Sequence, residues 1–328
     1  MEIRPIDFCI FVASHISKSH RIVYLKECLH SLVNQTVRIP IYMSISFENE
    51  EIKTECITLF KTTPDIKNCG FLNILLQTEK TPQMMHYKHL TDKFASLHKW
   101  VMFCDDDDTY EPNRTTHIAQ IMTTADKQIK QYPQLQNGGV YESTFGKTHR
   151  EHRHEYWCYC INTELMKTFI KTTEKYPDIL RDKCCDVLLA EYLRRKLNTW
   201  IFIQLPVKYY NYRIEENNDS ITGFIKLNQT KYTLQTHPPS DNGTDEWKIY
   251  LQEWNEYVGE NMHVFLHDTY LRSIVGYDLQ RILQAEFRNN YELTEHIDNQ
   301  HIEKIDNFHK RVQQVANELY DIQLNITS

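Results

Sequence analysis

Short apolar runs separated by stretches of helical period fill the first two hundred residues, the pattern of β-α-β units around a largely parallel sheet. Four runs read as strands: Asp7 to Ala13 (DFCIFVA), Ile39 to Phe47 (IPIYMSISF), Phe71 to Leu76 (FLNILL) and Trp100 to Cys104 (WVMFC). Between the first two, Ile22, Leu25, Leu29, Leu32 and Val33 recur at helical spacing, which predicts a helix covering one face of the sheet. Further helices are predicted at about 52–61, 82–97 and 112–132, the last with Pro112 suited to a first helical position. After Gly138-Gly139 the pattern becomes mixed, with strands near Val140, over 156–161 and over 199–205, and helices over 164–172 and 182–197.

The stretch 217–243 is rich in Asn, Thr, Ser and Pro and marks a boundary. Beyond it the chain reads as helix throughout. We therefore expect an α/β domain over 1–222 and an all-helical domain over 223–328. Trp247, Tyr250, Leu251, Trp254, Tyr257 and Val258 form a helical stripe, expected to pack as core against the first domain. Ile305, Phe308, Val312, Val315, Leu319 and Ile322 step by three and four, but the seam is shorter than three heptads. That length favours a helix pair within the chain and leaves homodimerisation through the C-terminal helices open.

Composition narrows the chemistry. The 37 Lys+Arg against 44 Asp+Glu give a charge of -7, which argues against nucleic acid as a partner. Only eight glycines occur, none in a GxGxxG or GxxxxGK[ST] arrangement, so dinucleotide and P-loop sites drop out. Nine cysteines without a CxxC pair fit neither a disulfide framework nor a zinc ribbon and point to a reducing, cytoplasmic setting. The apolar run in MEIRPIDFCIFVASH is far below the ~18 residues of a membrane span, so no signal peptide or transmembrane segment is expected.

The strongest local signal is Asp105-Asp106-Asp107-Asp108, directly after WVMFC. In extended chain Asp105 and Asp107 would share one face and Asp106 and Asp108 the other. Two carboxylates about 7 Å apart repel by about 2 kcal/mol at an effective dielectric near 20, a cost that a bound cation reverses. Carboxylate-only ligation suits Mg2+ or Mn2+, which keeps positions open for phosphate oxygens. Open α/β sheets bind ligands at such strand ends.

With these residues the chain resembles the family-2 glycosyltransferases of the GT-A fold. The family's first strand, polar turn and helix ending Ser-Leu-x-x-Gln-Thr look like FCIFVA, Ser14-His15 and Ser31-Leu32-Val33-Asn34-Gln35-Thr36. Its Asp-x-Asp motif with following aromatic and Pro is similar to Asp105-Asp106-Asp107-Asp108-Thr109-Tyr110-Glu111-Pro112. Its late acidic motif resembles Cys185-Asp186-Val187-Leu188-Leu189, with Cys185 where an acidic residue is usual. Its closing Tyr-x-Arg segment resembles Tyr210-Asn211-Tyr212-Arg213. These landmarks fall in the family's order over residues 1–222, and the C-terminal third has no counterpart.

The resemblance implies a metal-dependent, inverting transfer from a nucleotide diphosphate sugar, most commonly a uridine nucleotide, to a hydroxyl on a glycan, a lipid-linked sugar or a protein. It places the Mn2+ or Mg2+ on Asp107 with Asp105 as partner, and the general base at Asp186, with Asp182 as the nearest substitute. Candidate donor contacts are Ser14, His15, Glu48, Gln83, His86, Asp105, Asp106 and Arg213, with Lys88 beside them. The run 147–155, which holds His149, Arg150, His152, Arg153 and His154, reads as a charged loop that could close over phosphates. An acidic tetrad after a strand equally suits a metal-dependent nucleotidyl or phosphoryl transferase. A catalytically silent scaffold on the same fold is a third reading.

Overall fold

The computed structural model describes residues 7–129, 136–142, 155–196, 200–205, 207–213, 239–241, 243–286 and 295–321. The chain forms two compact units, Met1–Arg213 and Ile214–Ser328. The expected boundary at 222/223 and the His-rich residues 147–154 lie outside the described residues.

In the first unit the strands are β1 (Phe8–Ile16), β2 (Ile41–Phe47), β3 (Leu72–Leu76), β4 (Trp100–Asp105), β5 (Thr109–Tyr110), β6 (Gln136–Glu142), β7 (Tyr159–Asn162), β8 (Trp200–Leu205) and β9 (Tyr210–Asn211). Seven of them make one sheet in the order β3-β2-β1-β4-β7-β6-β8, while β5 and β9 pair separately. All neighbours are parallel except β7, which runs against both β4 and β6. This mostly parallel sheet flanked by helices is the α/β architecture expected from the sequence.

The helices of this unit are α1 (Arg21–Val33), α2 (Glu50–Thr62), a single turn α3 (Pro64–Lys67), α4 (Gln83–Phe94), α5 (Arg114–Ile129), α6 (Thr163–Thr173), a second turn α7 (Pro177–Leu180) and α8 (Cys185–Arg195). The four expected strands all form; β1, β2 and β4 are buried on both faces, as central parallel strands require, while β3 lies at the sheet edge and is only partly buried. The predicted face of α1 is the buried one, Ile22, Leu25, Cys28, Leu29, Leu32 and Val33. One glycine is demanded by the sheet. Gly139 has φ of +128°, and a Cβ there would lie 1.9 Å from the Cys160 carbonyl oxygen, at the point where the β6–β8 register shifts.

The second unit contains the helices Asp245–Glu260, Met262–Ser273, Leu279–Glu286 and Asn299–Tyr320. Trp247, Tyr250, Trp254 and Val258 join Met262, Phe265, Ile297 and Ile305 in one core. The aromatic stripe packs as core inside its own unit. The terminal helix buries Ile305, Val312, Val315 and Leu319, leaves Phe308 half-buried, and packs against Met262–Ser273; Ile322 lies outside the described residues. Among the described residues no helix is long and apolar enough to cross a membrane.

Candidate active site

The tetrad does not keep the extended alternation that its sequence suggests. β4 ends at Asp105, the chain turns through Asp106 and Asp107, and the Asp108 N–H donates back to the Asp105 carbonyl at 3.2 Å. The four carboxylates consequently face three directions. Asp105 accepts from Gln83 Nε2 at 2.9 Å and from the Tyr156 hydroxyl. Asp106 accepts from Ser14 Oγ at 2.7 Å and Arg21 at 2.9 Å, and the same Arg21 nitrogen lies 3.5 Å from Asp107. Asp108 accepts from the Tyr210 hydroxyl and the Arg213 N–H, both at 2.7 Å.

This crowding has an electrostatic signature. Burial, then the charges of Asp108 and Asp107, push the Asp105 carboxyl well above the ordinary range. Burial and Asp107 raise Asp108 to about 7, against the pull of its bonds from Arg213 and Tyr210. Arg21 opens α1, seven residues past Ser14, and nothing in its local sequence marks it as the partner of two Asp side chains.

Two sequence landmarks meet beneath the tetrad. Gln35, from the Ser31-to-Thr36 segment, donates to the carbonyls of Ser31 and Glu111 and accepts from the Thr115 N–H. Ser31 Oγ accepts from the Tyr110 N–H at 3.1 Å. From the other side, Tyr210 on β9 accepts from the Asp105 N–H at 3.0 Å while donating to Asp108, and its ring stacks on Trp157 at 4.3 Å. Tyr210→Phe leaves a buried carboxylate oxygen and a backbone donor short of a partner. We expect it to cost about 2 to 4 kcal/mol of folding stability in urea unfolding. A cost below about 0.5 kcal/mol would mean the hydroxyl does not support the tetrad.

At the carboxyl ends of β1 and β2 lies a second polar cluster. His15 Nε2 contacts Glu48 at 3.0 Å, and Lys80 donates to the same Glu48 oxygen at 2.9 Å. Lys80 and then His15 hold the exposed Glu48 carboxyl below its ordinary value. His86, expected among the donor contacts, is fully buried between Ser44 and Ser46, so a ligand in the crevice cannot touch it. Lys88 lies apart from the tetrad's partners, its ammonium 2.6 Å from Asp92 and 3.4 Å from Glu174.

Arg213 sits at the tetrad but faces its backbone, donating from Nε to the Asp107 carbonyl at 3.0 Å, pairing with Glu27, and covering the Tyr24 ring at 4.5 Å. Asp186 is half-buried in the first turn of α8, whose N-cap position is Cys184. That helix packs against α4 and against the turn Tyr156–Cys158, the elements that supply both side chains gripping Asp105. Asp182, the substitute base, instead accepts the Cys184 N–H at 2.8 Å and shapes the turn ahead of α8.

Among the described residues no group of three or more His, Cys, Asp or Glu side chains is disposed to hold a metal ion. A Mg2+-like ion bound through phosphates needs only one or two carboxylates from the protein. The tetrad meets that requirement: its carboxylates outnumber the cations facing them, and the raised Asp105 and Asp108 show negative charge that a dication would relieve. Asp106 and Asp108 are buried and engaged with fixed donors, while Asp107 lies 3.5 Å from Arg21.

Fold and site together define an α/β unit with an acidic, arginine-flanked turn at the carboxyl ends of parallel strands. No model of a known protein family matches the sequence, and no curated protein sequence matches it. Similar solved structures include TarS of S. aureus, 12% identical, covering 93% of this chain and 55% of that one at a TM-score of 0.43. The 1–349 form of TarS is 12% identical, with 95% and 90% coverage and a TM-score of 0.39. A 4-diphosphocytidyl-2C-methyl-D-erythritol synthase from Anaerococcus prevotii is 15% identical, with 66% and 97% coverage and a TM-score of 0.37. The chain spans little more than half of the longer TarS chain.

Proposed function

We propose that the first unit transfers a sugar from a nucleotide diphosphate sugar, with a uridine nucleotide expected, to an acceptor hydroxyl with inversion at the anomeric carbon. The observation that carries this reading is the acidic turn at the end of β4, with Asp107 and Arg21 turned to one another beside β1. A Mn2+ or Mg2+ held by Asp107, with Asp105 beside it, would take up charge on the departing diphosphate. Arg21 supplies a fixed positive charge at the same place, and Ser14 keeps Asp106 turned toward it. His15 and Glu48, at the ends of β1 and β2, lie where the nucleoside would rest. Asp186 accepts the proton of the acceptor hydroxyl as its oxygen bonds to the anomeric carbon and the bond to the diphosphate breaks. Its place in the first turn of α8 favours the ionised carboxylate that a base requires.

A thermal-shift panel of nucleotides with and without Mn2+, repeated on Asp107→Ala, tests the reading. One nucleoside diphosphate at a hundredfold its dissociation constant should stabilise the protein by about 2.7 kcal/mol with Mn2+ present. The Asp107→Ala variant should lose that metal-dependent gain. Stabilisation by triphosphates alone would replace the reading with a nucleotidyl transferase, and silence toward every nucleotide would replace it with a scaffold.

A further inference from the structure

Behind the exposed His15–Glu48 pair runs a line of buried polar groups that its chemistry alone does not require. Gln77 Nε2 donates to Ser44 Oγ at 2.9 Å, and Ser44 Oγ lies 2.8 Å from His86 Nδ1. His86 Nε2 lies 3.1 Å from Ser46 Oγ, which is 2.9 Å from His15 Nδ1 and also receives the Thr81 N–H at 3.3 Å. Ser44, Ser46 and His86 are wholly buried.

Counting donors gives this line a direction. The Ser44 hydroxyl already accepts from Gln77, and among the described residues its own proton has one acceptor within reach, His86 Nδ1. His86 is then protonated at Nε2, which faces Ser46 Oγ at 3.1 Å, with the Thr81 backbone also against the ring. With the Thr81 N–H and His86 filling both lone pairs, Ser46 must donate onward to His15 Nδ1. His15 in turn carries its proton on Nε2 and donates it to Glu48 Oε2, the oxygen that Lys80 also holds. Among the described residues no hydrogen bond reaches Glu48 Oε1, and the side chain is 44% exposed.

We propose that His86, acting through Ser46, is a positioning residue that fixes His15 as the neutral, Nε2-protonated tautomer and so holds Glu48 with Oε1 turned out to accept from a nucleotide. The role toward a nucleotide rests on the function proposed above; the tautomer does not. To protonate His15, the Ser46 hydroxyl would have to reverse, and the buried groups behind it would have to reverse in turn. The charged and titratable groups around the two rings are Glu48 and Lys80 at the crevice, Arg21 on α1 and His89 on α4. Burial is the largest influence on both rings: it pushes His86 down to about 3 and lowers His15 despite the Glu48 carboxylate. The crevice would thus recognise its ligand without a change of charge at His15 across neutral pH.

The test is nitrogen-15 NMR of the imidazoles in the full-length protein, with His15→Asn identifying the signal. The expected wild-type signal is Nε2-protonated and unchanged from about pH 8 to about pH 5.5. In Ser46→Ala, His15 should gain a proton at a higher pH than in the wild type, since its Nδ1 no longer faces a fixed hydroxyl donor. The variant's affinity for the nucleoside diphosphate found in the panel should acquire a pH step of roughly three- to tenfold that the wild type lacks. An Nδ1-protonated wild-type His15, or one that titrates normally, overturns the relay, as does a Ser46→Ala protein whose His15 stays locked. The wild-type spectrum decides the tautomer even if Ser46→Ala does not fold. Wild-type protein that binds no nucleotide while His15 behaves as expected overturns the binding role and the transferase reading, and leaves the relay standing.

Discussion

An Arg114→Met variant is expected to lose about 3 to 5 kcal/mol of folding stability, read as a fall in the urea unfolding midpoint. Arg114 and Glu142 are fully buried and form an ion pair from the start of α5 to the end of β6. Arg114 also donates to the Trp157 carbonyl at 3.0 Å and lies 4.0 Å over the Tyr110 ring. Glu142 accepts the N–H groups of Tyr209 and Tyr210 at 2.7 and 3.0 Å. Removing the guanidinium leaves a buried carboxylate without its counter-charge, which costs far more than the pair contributes when intact. The damage should also reach the crevice, since Glu142 holds the strand whose Tyr210 supports Asp105 and Asp108. The double variant Arg114→Met/Glu142→Gln should recover part of the loss, because no unpaired charge remains. A single variant as stable as the wild type would show that the pair does not brace this region.

Asp186→Asn is expected to lower the rate of sugar transfer by about 10²- to 10⁴-fold while donor affinity changes by less than about threefold. The amide keeps the size of the side chain and removes the proton acceptor. Asp182→Ala serves as the contrast, because Asp182 accepts the Cys184 N–H and its loss should register in stability before rate. Near-normal turnover in Asp186→Asn would remove the residue from the chemistry. A matching fall in donor affinity would assign it to binding instead.

Much of the first unit was legible in its sequence because local patterning and final environment agree there. Central parallel strands are buried on both faces, so β1 and β4 open as apolar runs and β2 as an apolar run broken by Ser44 and Ser46, and α1 shows its buried face at helical spacing. The acidic tetrad, too, stands out where it falls, at the carboxyl end of β4.

What sequence could not supply is where those side chains point and what they meet. The even spacing of Asp105 and Asp107 suggested a shared face, but the turn after β4 sends Asp105 to Gln83 and Tyr156 and Asp107 to Arg21. His86 looked like a ligand on a helix and proved to be buried behind Ser46, because α4 packs its polar first turns against β2. Arg21, Glu142 and Tyr210 carry no local mark, since their roles come from partners 85, 68 and 102 residues away in the chain. By itself the sequence determined the alternation of elements, the parallel strands and the position of the acidic turn, all of which follow from short-range periodicity and burial. Only the tertiary structure decided which partner each carboxylate of the tetrad meets, because hydrogen-bond geometry between distant segments sets that choice.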